Sequence, residues 1–468
     1  MEIRNICCIG AGYVGGPTMA VIANYCPNIQ VNVVDINPER IDQWNDDDFS
    51  KLPIFEPGLA EIVKKCRGVN LHFSNEMENQ IKKADMIFIS VNTPTKVKGI
   101  GAGQAIDLKY VEASSREIAK YSEGFTIVVE KSTLPVKTAQ TIKDILDAES
   151  KSKEKFTEKN FAVLSNPEFL AEGTAINDLN NPDRILIGGD NKEAIDSLVR
   201  IYTNWVDKSK VLTTDLWSSE LSKLIANAFL AQRISSINTI SALCEATGAN
   251  IKDVALAVGM DKRIGKYFLN SGPGFGGSCF KKDISNLVYI SNHYGLSEVA
   301  EYWQKVLDIN LWQQKRFVEL IVKQMFGTIS SKKIAILGFA FKSNTNDTRE
   351  SPAIYICRKL IEEGAILNIY DPKVSQNQIN KDLKGCKEDL NVPNNNKKWT
   401  FSNSLYETFN DTDAAIFMTE WEEFQNLDWS TISPKMRKPA WIFDTRSIIK
   451  KNVIKKYGIN IWQVGSGS

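Results

Sequence analysis

The chain has 468 residues, 43% of them apolar, which is enough to bury two or three cores. Lysine and arginine total 57 against 56 acids, so a net charge of +1 excludes a general basic surface for nucleic acid. No apolar run approaches the ~20 residues that a membrane helix needs. The eight scattered cysteines form no C-x-x-C pair, which argues against a zinc site or a disulfide framework. With no signal peptide ahead of the first strand, a soluble protein of the reducing cytoplasm is expected.

Arg4 to Ile9 reads as a short buried strand, with Cys7 and Cys8 as packing residues. Gly10-Ala11-Gly12-Tyr13-Val14-Gly15 follows, and a helix begins over Pro17 to Ala23. A second strand, Val31 to Val34, ends at Asp35. A G-x-G-x-x-G run between strand and helix, with an acid about 20 residues on, is the dinucleotide-binding fingerprint. Its glycines make the tight turn and let a pyrophosphate reach the helix N-terminus, where free N–H groups favour an anion. Asp35 is expected to accept from the adenosine ribose hydroxyls and to repel a 2′-phosphate, which points to NAD. Arg40 pulls the other way, since an arginine there offers the 2′-phosphate a partner.

Strands are expected at Met86–Val91, Thr126–Glu130 and Phe161–Leu164. Each runs into a polar loop: Asn92 to Thr95, Lys131 to Pro135, and Ser165 to Phe169. In an open parallel sheet, ligands bind beyond the carboxyl ends of the strands, so these loops should line one crevice. The lysine-rich stretch Glu149 to Asn160 reads as a solvated surface loop, and Asn181-Pro182-Asp183-Arg184 precedes a short strand at Ile185–Ile187.

A helical region follows. Ser218-Ser219-Glu220 looks like a helix start, and Leu221, Leu224, Ile225, Ala228 and Phe229 recur at helical spacing to about Thr247, where Gly248 offers a stop. Cys244 falls in this apolar stretch. Lys223 and Asn227 share a different face. They form either an exposed polar stripe or, since the helix is largely apolar around them, a pair buried toward a site.

The run Gly274-Phe275-Gly276-Gly277-Ser278-Cys279-Phe280-Lys281-Lys282-Asp283 is the most informative of the chain. Three glycines allow close backbone approach to a ligand, and nearby cations favour the thiolate of Cys279. The competing reading is a Gly-rich turn ahead of a buried cysteine. The two histidines, His72 and His293, sit in no motif, so acid–base chemistry falls to carboxylates, lysine or water.

Lys333 to Gly338 is a strand into a glycine turn. A helix over Ser351–Glu363 and strands at Leu367–Asp371, Ala414–Thr419 and Trp441–Asp444 complete a second doubly wound unit. It lacks the full glycine fingerprint, so a ligand other than NAD is expected there. Lys381 to Lys398 reads as a mobile insertion and Gly465 to Ser468 as a disordered end. The expected fold is α/β, with two Rossmann-like doubly wound domains at 1–211 and 329–468 joined by a central helical domain at 212–328.

These pieces resemble the UDP-glucose/GDP-mannose dehydrogenase family of nucleotide-sugar dehydrogenases, over nearly the whole chain. The likeness is strongest to the animal-type members acting on UDP-glucose, in Ile6 to Thr18, Glu130-Lys131-Ser132-Thr133, Asn166 to Gly173 and Asn227 to Arg233. The resemblance implies oxidation of a primary alcohol to a carboxylate, with UDP-glucose, two NAD and water giving UDP-glucuronate and two NADH. It implies Cys279 as nucleophile, Lys223 and Asn227 around an oxyanion, and Asp283, Glu168 and Thr133 as further catalytic residues. It implies cofactor contacts at Gly10, Ala11, Gly12, Tyr13, Val14, Gly15, Asp35, Arg40, Val91, Asn92, Thr93, Ser132, Thr133, Glu172, Lys282 and Arg349. Substrate contacts are implied at Glu168, Phe169, Leu170, Lys223, Asn227, Arg263, Phe275, Gly276, Phe280, Lys342 and Arg446, with no metal. A homo-oligomer is also implied: a dimer core, assembled to a hexamer in animal-type members, with Arg263 reaching a neighbouring subunit. Two positions depart from the pattern. Asn270 stands where close animal relatives carry lysine, and Thr445 replaces a glycine beside Arg446. Relatives acting on UDP-N-acetylmannosamine or GDP-mannose share the architecture. A 3-hydroxyacid-type dehydrogenase would need no nucleophilic cysteine, and a non-catalytic nucleotide-binding protein would need none of the catalytic set.

Overall fold

Strand β1 (Asn5–Ile9) shows why the first sheet forms. Its side chains alternate: Ile6 and Cys8 enter one apolar cluster, Cys7 and Ile9 another, and none of the four is more than 3% exposed. Strands covered on both faces read as unbroken apolar runs, as parallel strands between helical layers do. The computed structural model describes residues 1–151, 160–384 and 398–467. They divide into two compact units, Met1–Ala226 with Ser285–Tyr294, and Asn227–Ile284 with Gly295–Ser468.

The first unit contains an eight-stranded sheet. Besides β1 it holds β2 (Gln30–Val34), β3 (Leu71–Ser74), β4 (Met86–Ile89), β5 (Phe125–Glu130), β6 (Asn160–Ser165), β7 (Ile185–Gly189) and β8 (Val211–Thr214). The order is β3-β2-β1-β4-β5-β6-β7-β8, parallel except at the β6–β7 pair. The strand order reverses between β1 and β4, the switch point where the carboxyl ends open a crevice.

The second unit repeats the plan with β9 (Lys333–Leu337), β10 (Ile366–Tyr370), β11 (Trp399–Phe401), β12 (Ala414–Phe417), β13 (Ala440–Asp444) and β14 (Ile459–Gln463). Its order is β11-β10-β9-β12-β13-β14, all parallel. Ile334 and Ile336 of β9 face one core, Ala335 and Leu337 the other.

The long helix runs from Leu216 to Thr247, with Gly248 at φ +82° ending it. It starts two residues before the expected Ser218, because Asp215 caps it by accepting from the Ser218 N–H at 2.9 Å. Among the described residues no helix is long and apolar enough to cross a membrane. Strands β3, β8, β11 and β14 were not foreseen in the sequence.

Three expectations about loops need correction or limits. The Thr138–Lys151 helix runs into the stretch read as a loop and β6 begins at Asn160, while 152–159 lie outside the described residues. The helix Gln376–Leu383 covers the start of the expected insertion, and 385–397 lie outside the described residues. The end of the chain is not loose. Gly465 accepts from the Ile251 N–H at 2.8 Å and donates to Glu245 Oε1 at 2.8 Å, and Gly467 N–H donates to Ala249 at 3.0 Å. Gly/Ser composition implies disorder only where nothing ties the backbone down; Ser468 itself lies outside the described residues.

Candidate active site

In the first unit the fingerprint turn leaves β1 and enters the helix Gly15–Tyr25. Gly10 has φ +110°, and a Cβ there would fall 2.1 Å from the Ser90 carbonyl oxygen. A Cβ on Gly15 would meet the Gly10 oxygen at 2.0 Å. These two glycines are demanded by the chain's own packing. Gly12 is different: a Cβ there has nothing within 4 Å, so its missing side chain leaves open room over the start of the helix. That room, beside a helix N-terminus, fits a dinucleotide pyrophosphate.

Asp35, at the end of β2 and 7% exposed, accepts from Ala11 N–H at 2.9 Å and Asn37 N–H at 2.9 Å, and pairs with Arg40 at 3.1 Å. Arg40 is thereby occupied by the acid whose preference it was expected to oppose. Val91, Asn92 and Thr93 follow β4, and Ser132 Oγ, after β5, donates to the Val91 carbonyl at 2.8 Å. Thr93, Ser132 and Thr133 are buried. The Tyr13 hydroxyl accepts from Gly173 N–H at 3.2 Å, joining the fingerprint turn to the loop that carries Glu172.

After β6 the chain presents Glu168, Phe169 and Leu170. Glu168 Oε1 lies 3.2 Å from Lys223 Nζ, both side chains at most 7% exposed, and Oε2 accepts from Leu170 N–H at 3.0 Å. Lys223 and Arg184 stand over the Phe169 ring at 5.5 and 3.8 Å. Glu168 also lines a cavity of about 290 Å³ with Lys131, Arg184 and Tyr202. Burial pushes the Lys131 ammonium down to about 8; attraction to Glu168 opposes that and repulsion from Lys223 adds to it.

Sequence reasoning gave no role to two acids that shape these loops. Glu56 accepts from Gly173 N–H and Ala175 N–H and fixes the end of the Glu168 loop. Glu220 takes the Lys137 and Ala139 N–H groups, both at 2.7 Å, and so anchors the loop that carries Ser132 and Thr133. Burial raises both Glu220 and its neighbour Glu130, which sits behind that loop. Glu56 is a lone acid in a loop and Glu220 stands near the start of the long helix, and neither place carries a periodic signal of the backbone it holds.

In the second unit Cys279 immediately precedes the helix Phe280–His293, and its carbonyl accepts from Asp283 N–H at 2.8 Å. The thiol is half-buried, 3.4 Å from Ser278 Oγ. A helix N-terminus favours a thiolate. Asp283 is fully buried and accepts from Asn227 Nδ2 at 2.6 Å, with Lys282 Nζ at 3.9 Å. Lys281 is drawn off by Glu350 at 2.8 Å. Lys223 and Asn227 are both buried, at 4% and 6% exposure, which rejects the exposed-stripe reading.

The glycine run before Cys279 is shaped from within. A Cβ on Gly274 would meet Asn310 Oδ1 at 2.6 Å, and one on Gly276 would meet the Glu350 carbonyl at 2.6 Å. Asn310 brackets Phe275, accepting from its N–H at 2.8 Å and donating to its carbonyl at 3.1 Å, and Gln313 Nε2 donates to the Gly272 carbonyl at 3.0 Å. Protein atoms fill the spaces that Cβ atoms at Gly274 and Gly276 would need, so the chain's own packing already requires glycine at both. Asn310, Gln313 and Gln314, polar at helical spacing in an apolar pattern, were the readable sign.

Phe275 and Phe280 meet edge to face at 5.7 Å. Arg446 Nε donates to the Met418 carbonyl at 2.8 Å and lies 3.2 Å from Glu420, and Nη2 donates to the Phe341 carbonyl at 3.2 Å. The Thr445 hydroxyl beside it donates to the Phe417 carbonyl at 2.6 Å. Lys342 stands 5.6 Å over Phe341, and Arg349 is held by Asp347 at 2.6 Å. Arg263 lies exposed and chelated by Asp261 at 2.6 Å, and Asn270 is exposed.

A doubly wound sheet with an intact fingerprint turn defines a dinucleotide-dependent protein, and comparison with known proteins narrows it. Models of the UDP-glucose/GDP-mannose dehydrogenase family match its NAD binding domain at residues 4–206, its central domain at 217–312 and its UDP binding domain at 335–451. The chain is 54% identical to the UDP-glucose 6-dehydrogenase of Bos taurus, covering 99% of this chain and 93% of that one. It is also 54% identical to UDP-glucose 6-dehydrogenase 2 of Arabidopsis thaliana, covering 98% and 96%. A solved UDP-glucose dehydrogenase from Pyrobaculum islandicum superposes with a TM-score of 0.84 at 28% identity, covering 100% and 98%. The chain belongs to the UDP-glucose/GDP-mannose dehydrogenase family and is an NAD-dependent oxidoreductase.

Proposed function

We propose that the chain oxidises UDP-glucose to UDP-glucuronate by a four-electron reaction that passes through a covalent intermediate on Cys279. The observation that carries this reading is the buried pair between Asn227 of the long helix and Asp283 of the helix that follows Cys279, with Asn227 Nδ2 and Asp283 Oδ2 2.6 Å apart. A two-electron dehydrogenase has no use for such a thiol. Near full-length identity to relatives named for UDP-glucose supports the substrate.

NAD, when bound, would supply the hydride acceptor for the substrate's C6, and the Gly10 turn, Asp35, Thr93, Ser132, Thr133, Glu172, Lys282 and Arg349 would hold it. An aldehyde has no second hydride to release until a nucleophile adds, and the Cys279 thiolate adds to form a thiohemiacetal. Lys223 and Asn227 stabilise its oxyanion. Loss of a second hydride, which a second NAD would take up, turns that adduct into a thioester, and Glu168 and Asp283 orient the water that cleaves it and releases the Cys279 thiolate. Arg263, Lys342 and Arg446 meet the diphosphate and sugar, alongside Phe169, Leu170, Phe275, Gly276 and Phe280. A reducing cytoplasm suits a mechanism that needs a free thiol.

The three-domain division at 1–211, 212–328 and 329–468 is part of this reading, as is a homo-oligomer with a dimer core, assembled further to a hexamer. Leu221, Phe229 and Leu243 on the long helix are 40, 55 and 57% exposed in the single chain, which supports association along that helix. Sedimentation at assay concentration tests it, and an active monomer contradicts it. For the reaction itself, NADH formation is followed over a panel of UDP-glucose, UDP-galactose, UDP-N-acetylglucosamine and GDP-mannose, with product mass. The expected result is the highest kcat/KM for UDP-glucose, with UDP-glucuronate as product; a higher value for another sugar overturns the assignment.

A further inference from the structure

Lys131 is the buried cation that the mechanism above leaves unused. It follows β5, is 3% exposed, and stands inside the first unit among groups from several elements. Its Nζ donates to Asn166 Oδ1 at 3.1 Å and to the Tyr202 hydroxyl at 3.2 Å. Tyr202 in turn donates to the same Asn166 oxygen at 2.6 Å, and Asn166 Nδ2 donates to the Leu186 carbonyl at 2.8 Å. The closed network fixes the ammonium without neutralising it, for neither partner is a carboxylate. Burying an uncompensated cation is costly, and a core position with that geometry is served as well by an apolar residue. The opposing charge is Glu168, which lines the same cavity of about 290 Å³ and whose Oε1 lies against Lys223 while its Oε2 accepts from Leu170 N–H.

We propose that Lys131 is a positioning residue whose ammonium, fixed by Asn166 and Tyr202 in the cavity it shares with Glu168, holds that carboxylate in place, so that it orients the hydrolytic water of the second half-reaction. The inference rests on the role given to Glu168 under the proposed function. The charged and titratable groups around Lys131 are Glu168 after β6, Lys223 on the long helix, Cys8 on β1 and Tyr202 at the end of its helix, with Asp178, Asp183 and Arg184 lining the same cavity. Because Lys131 titrates near 8, it is charged below that pH and neutral above it, so the benefit to Glu168 fades as pH rises through about 8.

The test measures kcat and KM with UDP-glucose and NAD from pH 6 to pH 10 for wild type, Lys131→Met, Lys131→Arg and Tyr202→Phe, each also on a Glu168→Gln background. Lys131→Met is expected to lower kcat about tenfold or more while leaving both KM values within about twofold. It is also expected to remove the decline of kcat through pH 8. Lys131→Arg restores part of the rate by restoring the charge, and the cavity has room for the larger head. On the Glu168→Gln background Lys131→Met causes no further loss, since the carboxylate it serves is gone. If Lys131→Met does not fold, Tyr202→Phe carries the test, with a several-fold loss in kcat on the wild-type background and none on Glu168→Gln. Wild-type kcat in Lys131→Met, or an equal loss on both backgrounds, overturns the proposal alone. A Glu168→Gln enzyme with wild-type turnover removes the reading beneath it.

Discussion

Gly10 and Gly338 hold the same place in the two sheets. Each ends the first strand of its unit, at φ +110° and +91°, and each donates its N–H to the end of the neighbouring strand at 2.8 Å, Gly10 to Val34 and Gly338 to Tyr370. Each has no room for a Cβ, which would lie 2.1 Å from the Ser90 carbonyl in one and 2.4 Å from Thr419 Oγ1 in the other. An acid follows the second strand in both. Asp35 accepts from Ala11, and Asp371 accepts from Phe339 at 2.7 Å and Ala340 at 3.0 Å. The units part company at the next step. The first sets open space at Gly12, while the second sets Phe339 and Ala340, which are 0% and 2% exposed. A glycine and an acid at such a crossover are therefore requirements of the fold. The ligand is specified by what the turn leaves empty and by how much of the acid is already used.

The largest expected effects lie where the two crossovers agree. Gly10→Val and Gly338→Val each force a Cβ into backbone or a packed threonine at a positive φ, and each should cost several kcal/mol, about 3 or more. Urea unfolding reads this, and a mild effect at either position would break the parallel. Asp371 takes four N–H groups, those of Phe339, Ala340, Lys373 and Val374. Asp371→Ser should therefore lose about 2–3 kcal/mol of stability with no change in cofactor preference. Asp35→Ser should do the opposite, losing less stability but lowering the NAD-to-NADP ratio of kcat/KM by about tenfold or more.

Lys131 gives a pH-dependent counterpart. Its depression from 10.5 to about 8 means burial disfavours the charged form by roughly 3 kcal/mol. Below pH 8 the folded chain carries that penalty in full. Between about 8 and 10.5 the unfolded chain binds more protons, so stability rises with pH. Lys131→Met should thus gain about 1 kcal/mol near pH 7, once its two lost hydrogen bonds are counted, and the gain should vanish toward pH 10. Thermal unfolding across pH checks this, and a loss at pH 7 would show that Lys131 is there for the fold. The smallest effect sharpens the comparison most finely. Gly12→Ala should leave stability within about 0.5 kcal/mol yet raise the KM for NAD, because only the ligand uses that space.

Much of this was legible because it repeats. Alternation in Ile6 to Ile9 and in Ile334 to Leu337, glycine punctuation and the helical spacing around Leu224 and Ala228 gave both sheets and the long helix. β3, β8, β11 and β14 escaped because short outer strands such as Trp399–Phe401 carry too few residues for a period to show. At the site, Cys279 and Asp283 were marked by the Gly-rich run and Lys223 and Asn227 by their spacing on one helix face, and the structure buries Lys223, Asn227 and Asp283. Glu56, Asn166 and Tyr202 act by tertiary contacts 20 to 119 residues away in sequence, and no local pattern encodes those.

The proposed covalent role of Cys279 is tested most directly by counting NADH against product. Wild type should release two NADH per UDP-glucuronate, and Cys279→Ala should stop after at most one NADH per active site while still folding and binding NAD. If Cys279→Ala instead sustains wild-type turnover at two NADH per product, the thiol is a packing residue and the covalent account is wrong.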